Sequence, residues 1–289
     1  MRQLVFILSF LLIQSSIVLS QKSTNSSLLW KISGKGMKGE SYLYGTMHVQ
    51  DESVFQMENA VKEYIMICDA FAMEVLLDEI DPVAAQNHMV MKNTTLKELL
   101  SAEDYDFLNE YMKEKLGQGV LMFNKLKPFF LSAQLMQIDM NKDKVLPMDL
   151  EFLDYARKNG KIVKGLEKFE DQIAAVDKIS LKDQATMLME MVRDTLNENN
   201  NMEQLMSAYI SQDIELLYTI TVSDTSLPAG FQDVFITRRN RNMVKQIIRF
   251  SKRQRVVYAV GAAHLGGAEG IIALLRKKGY TVKAVSISL

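Results

Sequence analysis

Three histidines occur in the chain, and two of them close the same short pattern, Gly45-Thr46-Met47-His48 and Gly261-Ala262-Ala263-His264. Each pattern follows an apolar run, Tyr42-Leu43-Tyr44 in the first case and Tyr258-Ala259-Val260 in the second. Glycine lets the backbone turn sharply as it leaves a sheet. Each His is therefore expected on the carboxyl edge of the sheet, where open α/β folds place ligands. Carboxylates end two further apolar stretches, Glu74 in Ala72-Met73-Glu74-Val75 and Glu167 in Gly165-Leu166-Glu167. A carboxylate beside a buried strand is costly unless a partner or a cation stabilises it. Two imidazoles and one or two carboxylates on one edge make a donor set for a divalent metal ion, and Mn, Co and Zn all suit it. Such an ion polarises a carbonyl and lowers the pKa of bound water, which is hydrolase chemistry. His48, His264 and Glu74 are the first candidates on this reading, with Glu167 and Asp149 behind them. Asp149 also suits capping of the helix it precedes, and Glu167 suits the positive end of the next helix. The third histidine, His88, lies among polar residues within a helical stretch and reads as surface.

The elements that must position these groups follow from periodicity and punctuation. Leu28 to Ile32 and Glu40 to Tyr44 read as strands joined by the Gly-rich turn Gly34–Gly39. Val54 to Tyr64 is helical, and the predominantly apolar run Ile65 to Leu76 is strand-like, interrupted by Cys68-Asp69. Asp81-Pro82 opens a helix, Ser101 opens another that Gly117 ends, and Lys127-Pro128 precedes a helix through Ile138. A further helix runs from Asp149 to Gly160 and is followed by a strand, Lys161 to Leu166. Ser180 to Ser251 is helical with a break at Thr225–Gly230. Val256 to Val260 is a strand, Ala268 to Lys278 a helix closed by Gly279, and Thr281 to Ile287 the last strand. Strands at both ends with helices between them predict one α/β sheet domain over residues 28–289, carrying a helical insertion or cap over about residues 80–250.

Composition bounds the function. The chain has 289 residues, 48% of them hydrophobic, and a net charge of −1. That balance speaks against general nucleic-acid binding, which needs a basic face. Cys68 is the sole cysteine, so stability comes from the core without an intramolecular disulfide. Arg2, the apolar run Leu4–Ile13 and Val18-Leu19-Ser20 form a secretory signal pattern over residues 1–20. The apolar run is shorter than the roughly 17–25 residues that span a bilayer. Cleavage near Ser20 would leave a periplasmic or extracellular protein with a flexible leader, residues 21–27, and no integral membrane span. Neither a serine nucleophile elbow, a His-Glu-x-x-His pair nor a phosphate-binding Gly loop is present.

Taken in order, Leu29-Trp30-Lys31-Ile32, Tyr42–His48, Ala72-Met73-Glu74, Leu126-Lys127-Pro128, Gly165-Leu166-Glu167, Arg239-Asn240, Val260–Leu265 and Leu274–Tyr280 resemble the TraB/PrgY/GumN family, which includes the Tiki proteases. The resemblance runs from about Leu28 to Val285. It implies a mixed central sheet with flanking helices and, in the Tiki branch, metal-dependent peptidase activity at the paired Gly-x-x-His motifs and a glutamate. Carried over, these positions are His48, His264 and Glu74, with Arg239 and Asn240 as polar supports that hold an oxyanion or a substrate carboxylate. The expectation is an exported metal-dependent hydrolase acting on a peptide or protein substrate. Its alternative is a non-catalytic protein of the cell envelope that binds haem, a metal or a small ligand on the same edge.

Overall fold

Alternation along one strand sorts the helices to the two faces of the sheet. The computed structural model describes residues 26–138, 140–196, 201–223 and 227–285. The expected signal segment, residues 21–25 of the expected leader and the end of the last expected strand lie outside them, as does part of the expected break at Thr225–Gly230. Six strands form one mixed sheet: β1 (Leu29–Ser33), β2 (Ser41–Thr46), β3 (Ala70–Met73), β4 (Ile162–Gly165), β5 (Val256–Gly261) and β6 (Thr281–Ala284), in the order β4-β3-β5-β2-β1-β6. Strands β4, β3, β5 and β2 are mutually parallel, while β1 runs antiparallel to β2 and β6.

Twelve α-helices accompany them. The first six are α1 (Glu58–Ile67), α2 (Pro82–Met89), α3 (Leu96–Leu99), α4 (Ala102–Leu116), α5 (Pro128–Met136) and α6 (Met148–Lys158). The others are α7 (Phe169–Val176), α8 (Leu181–Leu196), α9 (Asn201–Ile210), α10 (Ile214–Ser223), α11 (Arg238–Ser251) and α12 (Ile271–Lys277). On β2, Tyr42 and Tyr44 share a face, since side chains two apart point the same way. Tyr42 packs on Tyr64 of α1 and Tyr44 on Phe152 of α6, so both helices cover that face. Leu43 points to the other face, and its register partners Trp30 and Tyr258 point with it. Trp30 meets Arg276 of α12 and the Tyr258 hydroxyl donates to the Ile247 carbonyl of α11, so α11 and α12 cover the second face. A sheet clothed on both sides needs apolar residues in both phases. Accordingly every residue of β3 is buried, and β5 is buried as far as Val260.

A second, separate core lies in the helical middle. Met91, Leu96, Leu108, Met112, Leu131, Leu188 and Val192 pack there, drawn largely from α3, α4, α5 and α8. The stretch between them, α6 to β4, returns to the sheet, so the helical middle is a cap threaded around a strand. Among the described residues no helix is long and apolar enough to cross a membrane.

Three expected elements differ. The run Ile65–Leu76 is not one strand: α1 continues to Ile67, and β3 starts only at Ala70. Asp69 makes the break, because its backbone N–H donates to the Arg255 carbonyl while its carboxylate accepts from the Arg255 N–H at 2.9 Å. Asp149 does not cap α6; Pro147 holds the cap position, and the Asp149 carboxylate is turned toward the sheet edge. The last helix starts at Ile271, because a turn through Gly267, at φ +79°, precedes it. At the amino end, Ser27 is buried and its hydroxyl donates to the Leu29 carbonyl at 2.9 Å, so ordered packing begins within the expected leader.

Candidate functional site

Four parallel strands end side by side, and each delivers one polar group to the same edge. In register, Thr46 stands beside Gly261, while Met73 stands between Ala259 and Gly165. Glu74 therefore emerges next to the end of β5, His48 two residues beyond β2, Glu167 two residues beyond β4, and His264 after the single turn that follows β5. Gly45 is needed for this closeness: a Cβ there would meet Leu265 Cδ1 at 2.7 Å and the Ala262 backbone at 3.1 Å.

Each imidazole is held through Nδ1. His48 Nδ1 lies 2.5 Å from Asp149 Oδ2, and the other Asp149 oxygen accepts from the Thr46 hydroxyl at 2.5 Å. His264 Nδ1 lies 2.7 Å from Asn240 Oδ1. The Asn240 amide is oriented in turn by its Nδ2, which donates to the Glu269 carbonyl at 2.8 Å. That leaves Oδ1 as an acceptor, so His264 carries its proton on Nδ1 and keeps a lone pair on Nε2. Fixing one ring nitrogen so that the other is presented is the usual support of a metal-binding histidine.

Glu74 is the hub. Its Oε1 accepts from the Gly261 N–H at 2.7 Å and lies 3.7 Å from His264 Nε2, and its Oε2 accepts from Arg239 at 2.5 Å and from Gln172 at 3.2 Å. Arg239 also donates to Glu167 at 2.8 and 3.0 Å and to the Phe235 carbonyl at 3.4 Å. One guanidinium thus clamps the carboxylates of two neighbouring strand ends. Burial opposes the charge on Glu74, yet the Arg239 guanidinium, both imidazoles and the Gly261 N–H outweigh it and hold the carboxyl well below its usual range. The two histidines are pushed apart. The Asp149 carboxylate raises His48 to about 9, against an opposing effect of desolvation. The His48 side chain is 60% exposed, so water moderates that attraction without reversing it. Burial lowers His264 to about 4, with Arg239 adding to the effect and Glu74 opposing it.

The five expected metal donors therefore divide. His48, His264 and Glu74 converge, while Asp149 orients His48 and Glu167 is occupied by Arg239. Among the described residues no three His, Cys, Asp or Glu side chains form a ready-made metal cluster. The convergence shows around Gly261: a Cβ there would lie 3.3 Å from Glu74 Oε1, 3.6 Å from the His264 ring and 3.8 Å from His48 Nε2. Arg239 and Asn240 support the site through other side chains, their donors directed to Glu74, Glu167, Phe235 and Glu269 rather than to open space.

Sequence reasoning left Thr46 and Gln172 without a role. Thr46 is a buried hydroxyl in a strand buried from end to end, and a polar residue in such a run needs a partner. Gln172 carries no such signal; only the approach of α7 to β3 brings it to Glu74.

A curated relative from Amphimedon queenslandica, described as a metalloprotease TIKI homolog, is 24% identical over an alignment of 335 residues that covers 93% of this chain and 63% of the relative. The chain thus spans less than two-thirds of that protein's length. No solved structure matches the chain significantly. The model of the TraB/PrgY/gumN family matches residues 28–284, which take in every strand of the sheet and every residue of the site, and the chain belongs to that family.

Proposed function

We propose that this protein is a metal-dependent hydrolase that cleaves peptide bonds outside the cytoplasm, after removal of the signal segment near Ser20. The observation that carries the reading is the space beside Gly261, around which Glu74 Oε1, the His264 ring and His48 Nε2 gather. Two imidazoles with their Nδ1 atoms engaged and one buried carboxylate are a donor set that fits a divalent cation. The similarity to a protein described as a metalloprotease homolog supports the same chemistry.

His48 and His264 would hold the ion through Nε2, with Glu74 as the anionic donor. A divalent ion at this position supplies Lewis acidity toward a carbonyl and acidifies water. The protein's own contribution is orientation. Asp149 and Thr46 aim His48, Asn240 aims His264, and Arg239 fixes Glu74 and keeps it ionised. A carboxyl held far below neutral is a weak proton acceptor, which favours Glu74 as a ligand over Glu74 as the general base.

The test is the metal content and peptide turnover of the purified protein, wild type beside His48→Ala/His264→Ala and Glu74→Gln. About one equivalent of Mn, Co or Zn in the wild type, lost from both variants together with turnover, is the expected result. Metal retained in Glu74→Gln with turnover abolished would make Glu74 the base. A wild type that takes up no divalent ion even in excess overturns the proposal, and metal uptake without turnover of any peptide leaves a binding protein.

A further inference from the structure

Four phenylalanines stand beside the site and belong to neither hydrophobic core. Phe231 and Phe235 stack with centroids 4.4 Å apart and planes 12° from parallel. Phe129 of α5 stacks on Phe235 at 5.5 Å, and Phe130 meets Phe129 edge-on at 5.6 Å. All four are partly exposed. A contiguous apolar patch left open to water marks a place where something binds.

The position of this row ties it to the reacting groups. Phe235 lies in a π-helical turn, Asp233–Thr237, that runs directly into α11, and such turns concentrate at functional sites. Its carbonyl accepts from Arg239, four residues on, and Arg239 in turn holds Glu74. Phe231, Phe235 and Arg239 follow one another at spacings of four, so they form one stripe whose inner end is the Glu74 clamp. The step from Phe235 to Arg239 is about one helical turn, roughly 5–6 Å along the axis. An extended peptide advances about 3.3 Å per residue. A chain whose reacting bond lies at Glu74 and that runs along this stripe brings a neighbouring residue against the rings.

We infer that Phe129, Phe235 and Phe231 form the wall of a substrate subsite for an aromatic or large aliphatic side chain within two residues of the scissile bond. A row of stacked rings presents its apolar edges without hydrogen-bonding groups, which selects for such side chains and against small or charged ones. This assignment rests on the peptidase reading, and its test separates the two.

Pairs of fluorogenic peptides, identical except for Phe or Ala at each position flanking the cleaved bond, are turned over by the full protein and by Phe231→Ala, with Phe129→Leu as a milder second variant. The wild type is expected to prefer a Phe peptide by about ten-fold or more in kcat/KM, and Phe231→Ala to lose that preference because its kcat/KM falls far more on the Phe peptide than on the Ala peptide. Equal losses on both peptides in folded variants, or no Phe preference in the wild type, overturn the subsite. Fluorescence anisotropy with the same labelled peptides covers an inactive protein. A binding preference for Phe that weakens in Phe231→Ala keeps the subsite and refutes the peptidase reading, whereas binding without preference overturns the subsite as well.

Discussion

A single methyl group at Gly261 separates a role in the site from a role in the fold. Gly261 has φ −52° and ψ 133°, a conformation open to any residue, so Gly261→Ala introduces no backbone strain. Of the three contacts its Cβ would make, only that to Glu74 Oε1, at 3.3 Å, is tight; those to His264 and His48, at 3.6 and 3.8 Å, are ordinary. Restricting the unfolded chain contributes about 0.4–1 kcal/mol in favour of alanine. The small displacement of Glu74 against its Arg239 pairing works the other way. Net stability is expected within about 1 kcal/mol of wild type. The methyl, however, occupies the space that the three groups surround, where the proposed ion would sit. Metal affinity and peptide turnover should fall on the order of 10²-fold or more, the usual effect of a misplaced reacting group. Thermal melting, metal stoichiometry and kcat/KM on one preparation decide the matter. A variant that melts with wild type yet keeps full metal and turnover refutes the location of the site. A fall of several kcal/mol would mean that the glycine serves packing instead.

Other substitutions probe the supports. Arg239→Ala leaves two buried carboxylates without their cation and should cost about 3–5 kcal/mol in a urea titration; an unchanged midpoint would mean that solvent reaches the pair. Asn240→Ala removes the acceptor on His264 Nδ1 and should weaken metal binding by about 10–100-fold, measured by competition with a chromogenic chelator, and undiminished affinity would detach Asn240 from the site. Tyr209→Phe deletes a buried hydroxyl that donates to the Gly45 carbonyl at 2.8 Å and lies 3.0 Å from the Tyr44 hydroxyl. It should lose about 1–3 kcal/mol, and equal stability would show that water replaces the hydroxyl.

The strand ends were legible because glycine and a short apolar run mark them chemically. Gly45 and Gly261 were read as the points where chain leaves sheet; Gly261 is the last residue of β5, whereas Gly45 is still paired within β2, which ends at Thr46. The boundary of α1 was not legible. Ile65 is fully buried on a helix facing the sheet, Phe71 is fully buried on a strand within it, and an apolar run carries no period that separates the two. Asp149 was read with a capping role because a carboxylate in the first turn of a helix satisfies that pattern. Nothing local says that a histidine 101 positions away stands 2.5 Å from it. The same holds for Arg239. Along the chain it belongs to a basic helix, Arg238-Arg239-Asn240-Arg241, and three of those residues differ sharply in setting: Arg238 and Arg241 are exposed, whereas Asn240 is fully buried. Only the register of α11 against β3 and β4 picks out which charge turns inward.

That register bears on why a cation suits the site. Adjacent parallel strands β3 and β4 bring Glu74 and Glu167 out on one edge, and two carboxylates so placed repel unless a positive group intervenes. Arg239 supplies one charge for the two. Asp149 favours the protonated form of His48, which would give up that proton on joining the ligand set, and burial keeps His264 neutral. Glu74, whose side chain is 11% exposed, meets Arg239 with one oxygen and faces the His264 ring nitrogen with the other. The lone pair of His264 Nε2 stands 3.7 Å from Glu74 Oε1, a donor and not a counter-charge. The proposed divalent cation would engage both, the carboxylate as anionic donor and the imidazole through its lone pair.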